Sequence, residues 1–164
     1  MGGVERLRDD LSRYQAVAID TMIFIYVLEK NPIYFSLAKT ILEIVEAGLV
    51  EGVISVITLT ELLTAPAQEK DVEAMREYEM YLLNFPHLTV LPVNVEIARA
   101  AAHVRGDIGL PAPDAIILAT AQNVQVDAIV TNDKRWRHKI SGTEVVLLED
   151  YLPDEYESVV GPEA

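Results

Sequence analysis

The chain has 164 residues, 51% of them hydrophobic, which is enough for one domain with a real core and too apolar for intrinsic disorder. It carries no cysteine and three widely spaced histidines, which excludes disulfides and thiolate zinc sites and leaves oxygen atoms as the main donors for any metal. A net charge of −13 excludes nucleic-acid binding through the whole surface, so a local basic patch, a bound metal or a partner would have to supply the attraction.

From the amino end, Val4, Leu7, Leu11 and Tyr14 recur at helical spacing and predict an amphipathic helix over 4–14. AVAID (16–20) reads as a short buried strand ending in an acid, and TMIFIYVLEK as a helix that stops before Asn31 and Pro32. A clear helix follows over 36–48, with Ser36 as its N-cap and Gly48 just past its end. VEGVIS (50–55) is the second strand; TLTELLTA is a short helix that Pro66 should end. A longer helix is expected over 71–85, a third strand over 88–93 and another helix over 95–106. Residues 107–113 read as a loop rich in Gly and Pro, 114–122 as a helix, 126–133 as a strand with a polar end, and 144–150 as the last strand. Residues 1–150 are thus expected to form one domain, and 151–164 a loose acidic tail.

Short apolar strands alternating with helices predict an α/β fold, a mostly parallel central sheet covered on both faces. Ligands of such sheets bind at the carboxyl ends of the strands, near a topological switch point. No apolar run is long enough to span a membrane and no secretory leader is evident, so the expected location is the cytoplasm, away from membranes.

Four acids stand where a strand or loop hands over to a helix: Asp20, Glu61, Asp114 and Asp133. Each has an ordinary structural explanation. Asp20 could cap the helix that starts at Thr21. Glu61 lies three residues after Thr58, the spacing of a capping box. Asp114 suits the dipole of a helix amino end, and Asp133 suits a turn. Jointly they point elsewhere, because all four can reach one rim of the sheet. Two carboxylates about 4 Å apart repel by roughly 4 kcal/mol at an effective dielectric of 20. A cluster of them needs protons or a cation, and an oxygen-only set suits Mg²⁺ or Mn²⁺.

Asp20-Thr21, the T-x-x-E-L-L helix around Glu61, D-A-I-I-L-A-T-A from Asp114 and the late T-N-D ending at Asp133 together resemble the PIN-domain nucleases, and within them the VapC-like toxins of toxin–antitoxin pairs. The resemblance runs from about Ala16 to Leu148. It implies a three-layer α/β/α sandwich and an acidic pocket for Mg²⁺ or Mn²⁺ formed by the residues matching Asp20, Glu61, Asp114 and Asp133. Asp20 and Asp114 would be the principal ligands. Thr21, Thr131 and Asn132 would support the pocket by hydrogen bonding. The implied activity is metal-assisted hydrolysis of RNA phosphodiester bonds without a side-chain nucleophile, by a dimer that a cognate antitoxin blocks. The helix over 4–14 departs from many such toxins, which begin almost directly with the first strand.

Lys134, Arg135, Arg137 and Lys139 surround Trp136 and form the candidate substrate-binding segment: cations for phosphate and a ring on which a base can stack. The ordinary alternative is a solvated turn with Trp136 in the core. An Asp-x-Asp phosphotransferase would want an acid where Met22 stands, and a Rossmann module would want glycines that IDTMIF lacks. The remaining rival is a PIN-like module that binds RNA or protein without cutting.

Overall fold

A computed structural model of the chain describes residues 2–137 and 140–156. Five parallel strands form the central sheet: β1 (Ala16–Ile19), β2 (Glu51–Ser55), β3 (Leu88–Leu91), β4 (Ala128–Thr131) and β5 (Glu144–Leu147). Their order is β3-β2-β1-β4-β5. The chain moves outward from β1 on one side and then returns to place β4 on the other. The switch point therefore lies between the carboxyl ends of β1 and β4, where a crevice opens.

Side chains along the strands alternate between two cores, as period-2 geometry requires. Val17, Ile19, Ala128 and Val130 face the first core, which holds Leu7, Leu11, Phe24, Ile41 and Ile44. Ala18 and Ile129 face the second, with Ile97, Ala101, Leu118 and Trp136. The first core is covered by α1 (Gly3–Leu11), α2 (Thr21–Leu28) and α3 (Phe35–Glu46), joined at its edge by Leu62 of α4 (Ile57–Gln68) and Leu82 of α5 (Val72–Leu83). The second is covered by α6 (Val95–Ile108) and α7 (Ala112–Asn123). The result is the expected α/β/α sandwich, with a sheet that is parallel throughout. Strands this short read as unbroken apolar runs because both of their faces are buried.

Several boundaries differ from expectation for identifiable reasons. Pro66 lies inside α4 rather than ending it. The ring costs one backbone bond, but only two residues of helix follow it, so little of the ladder is lost. The 107–113 loop is shorter than its Gly and Pro content suggests: α6 runs to Ile108 and α7 starts at Ala112, with Pro113 in its first turn where no amide partner is lost. Tyr34, not Ser36, precedes α3, because the Asn31 side chain accepts from the Ile33 and Tyr34 amides and sets the turn. Gly48 does follow α3, at φ +72°.

The amino-terminal helix is a packing element. Leu7 and Leu11 are fully buried, and α1 lies on α3 and on the 3₁₀ turn Leu148–Tyr151. Tyr151 donates to Asp10 at 2.7 Å, and the Arg6 guanidinium sits over the Tyr151 ring. Gly3 admits this approach, since a Cβ there would collide with the Tyr151 carbonyl. The start of the expected acidic tail is thereby held against the domain, with Leu152 packed on the first core. Its remainder, 157–164, lies outside the described residues, as does Lys139.

Candidate active site

Asp20 stands directly after β1, at the switch point. It holds the N-cap position of α2, but its carboxylate caps nothing. Instead Oδ2 accepts from Oγ1 of Thr131, the last residue of the neighbouring strand β4, at 2.7 Å. Thr131 is fully buried and its hydroxyl also accepts from the Asp133 amide at 3.1 Å, so one side chain links two of the four acids. Burial pushes the Asp20 carboxyl up to about 6; the Thr131 hydrogen bond opposes this, and the charges of Asp114 and Glu61 add to it.

Glu61 projects from α4 into the same crevice. The capping-box alternative fails, because α4 begins before Thr58 and Thr58 lies inside it. Glu61 Oε1 accepts from Thr21 Oγ1 at 2.7 Å, and Thr21 Oγ1 lies 2.9 Å from Thr58 Oγ1. Thr21 has one hydroxyl proton. With that proton on the carboxylate, Thr58 must donate to Thr21. A chain Thr58→Thr21→Glu61 thus orients the glutamate, with Thr21 and Thr58 both buried. Thr58 was legible only as a cap partner. The spacing that suggests a capping box also places Thr58 and Glu61 on one helix face.

Asp114 lies in the first turn of α7, after β3 and α6 have returned the chain to the crevice. Burial pushes its carboxyl up; Arg135 pulls it down, and the charges of Asp133 and Glu61 raise it again. Asp133 caps the 3₁₀ turn Lys134–Trp136, its Oδ1 accepting from the Arg135 amide at 2.9 Å. Its carboxyl is held low, first by the hydrogen bond from the Arg135 side chain, against burial. The four acids therefore feel one another: Asp20 couples to Asp114 and Glu61, and Asp114 couples to Glu61 and Asp133.

A cation is already among them. The Arg135 guanidinium donates through Nε to both Asp133 oxygens at 2.9 Å, and through Nη2 to Asp133 Oδ2 and, at 3.2 Å, to Asp114 Oδ2. It stands where a hard cation would be drawn, and the donor set around it is all oxygen. Those residues fit Mg²⁺ or Mn²⁺ in chemistry. As they stand, no three acids or histidines among the described residues converge on a single point suited to an ion.

The other sequence-marked residues lie farther out. The Asn132 side chain is hydrogen-bonded away from the four acid side chains. Its Nδ2 donates to the Tyr26 hydroxyl at 2.9 Å and its Oδ1 accepts from the Glu149 amide at 3.1 Å, which ties the loop after β4 to α2 and to the end of β5. Tyr26 is in turn stacked on Tyr34, with ring centroids 4.9 Å apart. Lys134 pairs with Glu149 at 2.8 Å, and Arg137 with Glu149 and Asp150. Trp136 corrects an expectation. It is fully buried in the second core, so its ring offers no face to a base. A large indole next to a sheet that lacks bulk at Ala18 fills space that solvent would otherwise enter.

The family model described as PIN domain matches residues 17–140, a range that leaves α1 and β5 outside it. No curated protein matches the chain. Among solved structures, the fold is similar to a chain of a toxin–antitoxin complex from Klebsiella pneumoniae, at 26% identity and a TM-score of 0.61, covering 80% of this chain and 97% of that one. It is also similar to VapBC2 from Rickettsia felis bound to a DNA fragment from their promoter (17% identity, TM-score 0.63, 80% and 98% covered). DNA-bound VapBC from Salmonella typhimurium gives 19% identity and a TM-score of 0.59, with 81% and 98% covered. The switch-point crevice, the four acids gathered in it and a family match over most of the chain agree: this protein belongs to the PIN domain family.

Proposed function

We propose that the protein is a divalent-metal-dependent endoribonuclease, the toxin of a toxin–antitoxin pair, acting in the cytoplasm on RNA. The observation that carries this reading is the gathering of four acids at the switch point, with a guanidinium held between Asp114 and Asp133 and hydroxyls orienting Asp20 and Glu61. Members of the PIN domain family are in general nucleases, which supports it. Fold neighbours found in toxin–antitoxin complexes support an antitoxin partner. Among the described residues no helix is long and apolar enough to cross a membrane.

In this reading Asp20 and Asp114 are the principal ligands of Mg²⁺ or Mn²⁺, and Glu61 and Asp133 complete the pocket. The ion supplies an acidified water as nucleophile and offsets charge on the leaving oxygen. The chain's own residues do the rest. Thr131 holds Asp20 through Oδ2. Thr58 and Thr21 hold Glu61 through Oε1. Asp20 and Glu61 are thus each oriented through one oxygen by a hydroxyl, as supporting groups around a metal usually do. Asn132 secures the loop that carries Asp133. Lys134 and Arg137 are half-exposed or nearly so, and their ion pairs with Glu149 and Asp150 are weak enough for an RNA phosphate to replace. The apolar side chains that α5 leaves exposed, Met80, Tyr81 and Leu83, are those a second copy or an antitoxin would cover.

The second reading is a PIN-fold module that binds without cutting. It is favoured by the absence, among the described residues, of a ready three-ligand point. The two readings part on total RNA incubated with Mg²⁺, comparing wild type with Asp20→Asn. The nuclease reading expects discrete cleavage by wild type and at least a hundredfold less by the variant, about 3 kcal/mol of lost transition-state stabilisation. Equal cleavage by both would remove Asp20 from the mechanism, and RNA binding without cleavage would favour the module.

A further inference from the structure

Arg135 is the second residue of the 3₁₀ turn after Asp133, and its place there is fixed from both sides. Its amide donates to Asp133 Oδ1, and the next residue, Trp136, is fully buried. The side chain, 54% exposed, folds back over the turn to grip Asp133 with Nε and Nη2 and to reach Asp114 with Nη2. Both Asp133 oxygens and one Asp114 oxygen are thereby engaged by a single guanidinium. Its hydrogen bonds reach Asp133 and Asp114 and neither Asp20 nor Glu61, so among the described residues the guanidinium serves the outer half of the crevice.

A second observation points to the same two acids. Trp136 Nε1 is fully buried with no hydrogen-bond partner. It still lies close enough to Asp133 to favour the charged carboxylate, though it closes no hydrogen bond there. Asp133 thus has a buried donor beside it that is free to bond. A buried donor left unmade is costly, and one that gains a partner when another leaves makes an exchange easier.

We propose that Arg135 is the resident counter-ion of the metal-free pocket and competes with the divalent ion for Asp114 and Asp133. This rests on the reading of the crevice as a metal site. Metal entry releases the guanidinium; Trp136 Nε1 moves onto Asp133 as Arg135 leaves; and Arg135, anchored at the lip by its backbone, turns outward, where its fork suits an RNA phosphate. One residue keeps the empty pocket from self-repulsion and becomes available to substrate only when the metal is in.

The test is calorimetric titration of Mn²⁺ into the metal-free full chain, comparing wild type with Arg135→Met and Arg135→Lys. Methionine keeps length without charge; lysine keeps charge without the two-pronged fork. The expected order of Mn²⁺ affinity is Arg135→Met, then Arg135→Lys, then wild type, with about tenfold between the extremes, the size of effect expected on losing a forked ion pair. In the same samples the metal-free melting temperature of Arg135→Met should fall while its rise on adding Mn²⁺ grows. A merely structural arginine would lower both stability and affinity, so equal or weaker Mn²⁺ binding by the variants overturns the proposal. Arg135→Lys decides the matter if Arg135→Met does not fold without metal. RNA cleavage by wild type with unchanged affinities in the variants would sink this inference and leave the nuclease reading intact. Shifted affinities without RNA cleavage would do the reverse, and no Mn²⁺ binding by any of the three would end both.

Discussion

Asp20 shows what one residue costs and what it is for. It is buried with a single hydroxyl donor, beside two other acids, and its carboxyl is pushed from 3.8 up to about 6, first by burial. Between those values the folded chain keeps a proton that the unfolded chain has lost. The contribution of this group to the metal-free fold is therefore full below about pH 4 and is lost as pH rises through 6. Asp20→Asn keeps the hydrogen bond with Thr131 and removes the charge. Urea denaturation of the metal-free protein should find the variant more stable at pH 8 by up to about 3 kcal/mol, with no gain at pH 4. A gain that does not change with pH would mean the aspartate is not held at that cost. Groups that are expensive in the empty protein and gathered in a crevice are candidates for function, and the same substitution should abolish cleavage.

At the scale of elements, the site is made by three junctions: β1 to α2, β4 to the turn at 134–136, and the first turn of α7, with α4 contributing from the side. The β1 and β4 junctions were readable because their apolar runs end abruptly in Asp20 and in Thr131-Asn132-Asp133. Their neighbourhood was not, since pairing of β1 with β4 across more than a hundred residues is a tertiary fact that no local window contains. The same limit explains Glu61, whose Thr58 spacing fits a cap until α4 is seen to start before Thr58. It also explains the basic segment. Cations around a Trp read as a nucleic-acid surface, but the indole goes to the second core and each of Lys134, Arg135 and Arg137 finds an acid of the chain. Trp136 therefore belongs to stability. Trp136→Ala should cost about 3–5 kcal/mol by denaturant unfolding. Trp136→Phe, which keeps most of the volume, should bind RNA as wild type does in a metal-free filter-binding assay, where Arg135 stays on its acids. A folded phenylalanine variant with weakened RNA binding would restore the ring to the interface.

For the whole molecule, a net charge of −13 and a site that attracts cations are parts of one arrangement. The acidic balance disfavours RNA at long range, and the carboxylates gathered in the crevice concentrate that field until a cation enters. The pocket in the metal-free state is half neutralised by Arg135 and half left as a protonatable Asp20 beside Glu61. The α/β/α frame brings these groups to one crevice because β1 and β4 are neighbours and the chain reverses direction there. In the proposed function the four carboxylates act as a single site for a hard divalent ion. Mn²⁺ titrated into metal-free wild type, Asp20→Asn and Asp114→Asn addresses it without reference to RNA. Specific saturable binding to wild type, lost in both variants, is the expected result. Identical isotherms for all three proteins, or no binding to wild type, would contradict it.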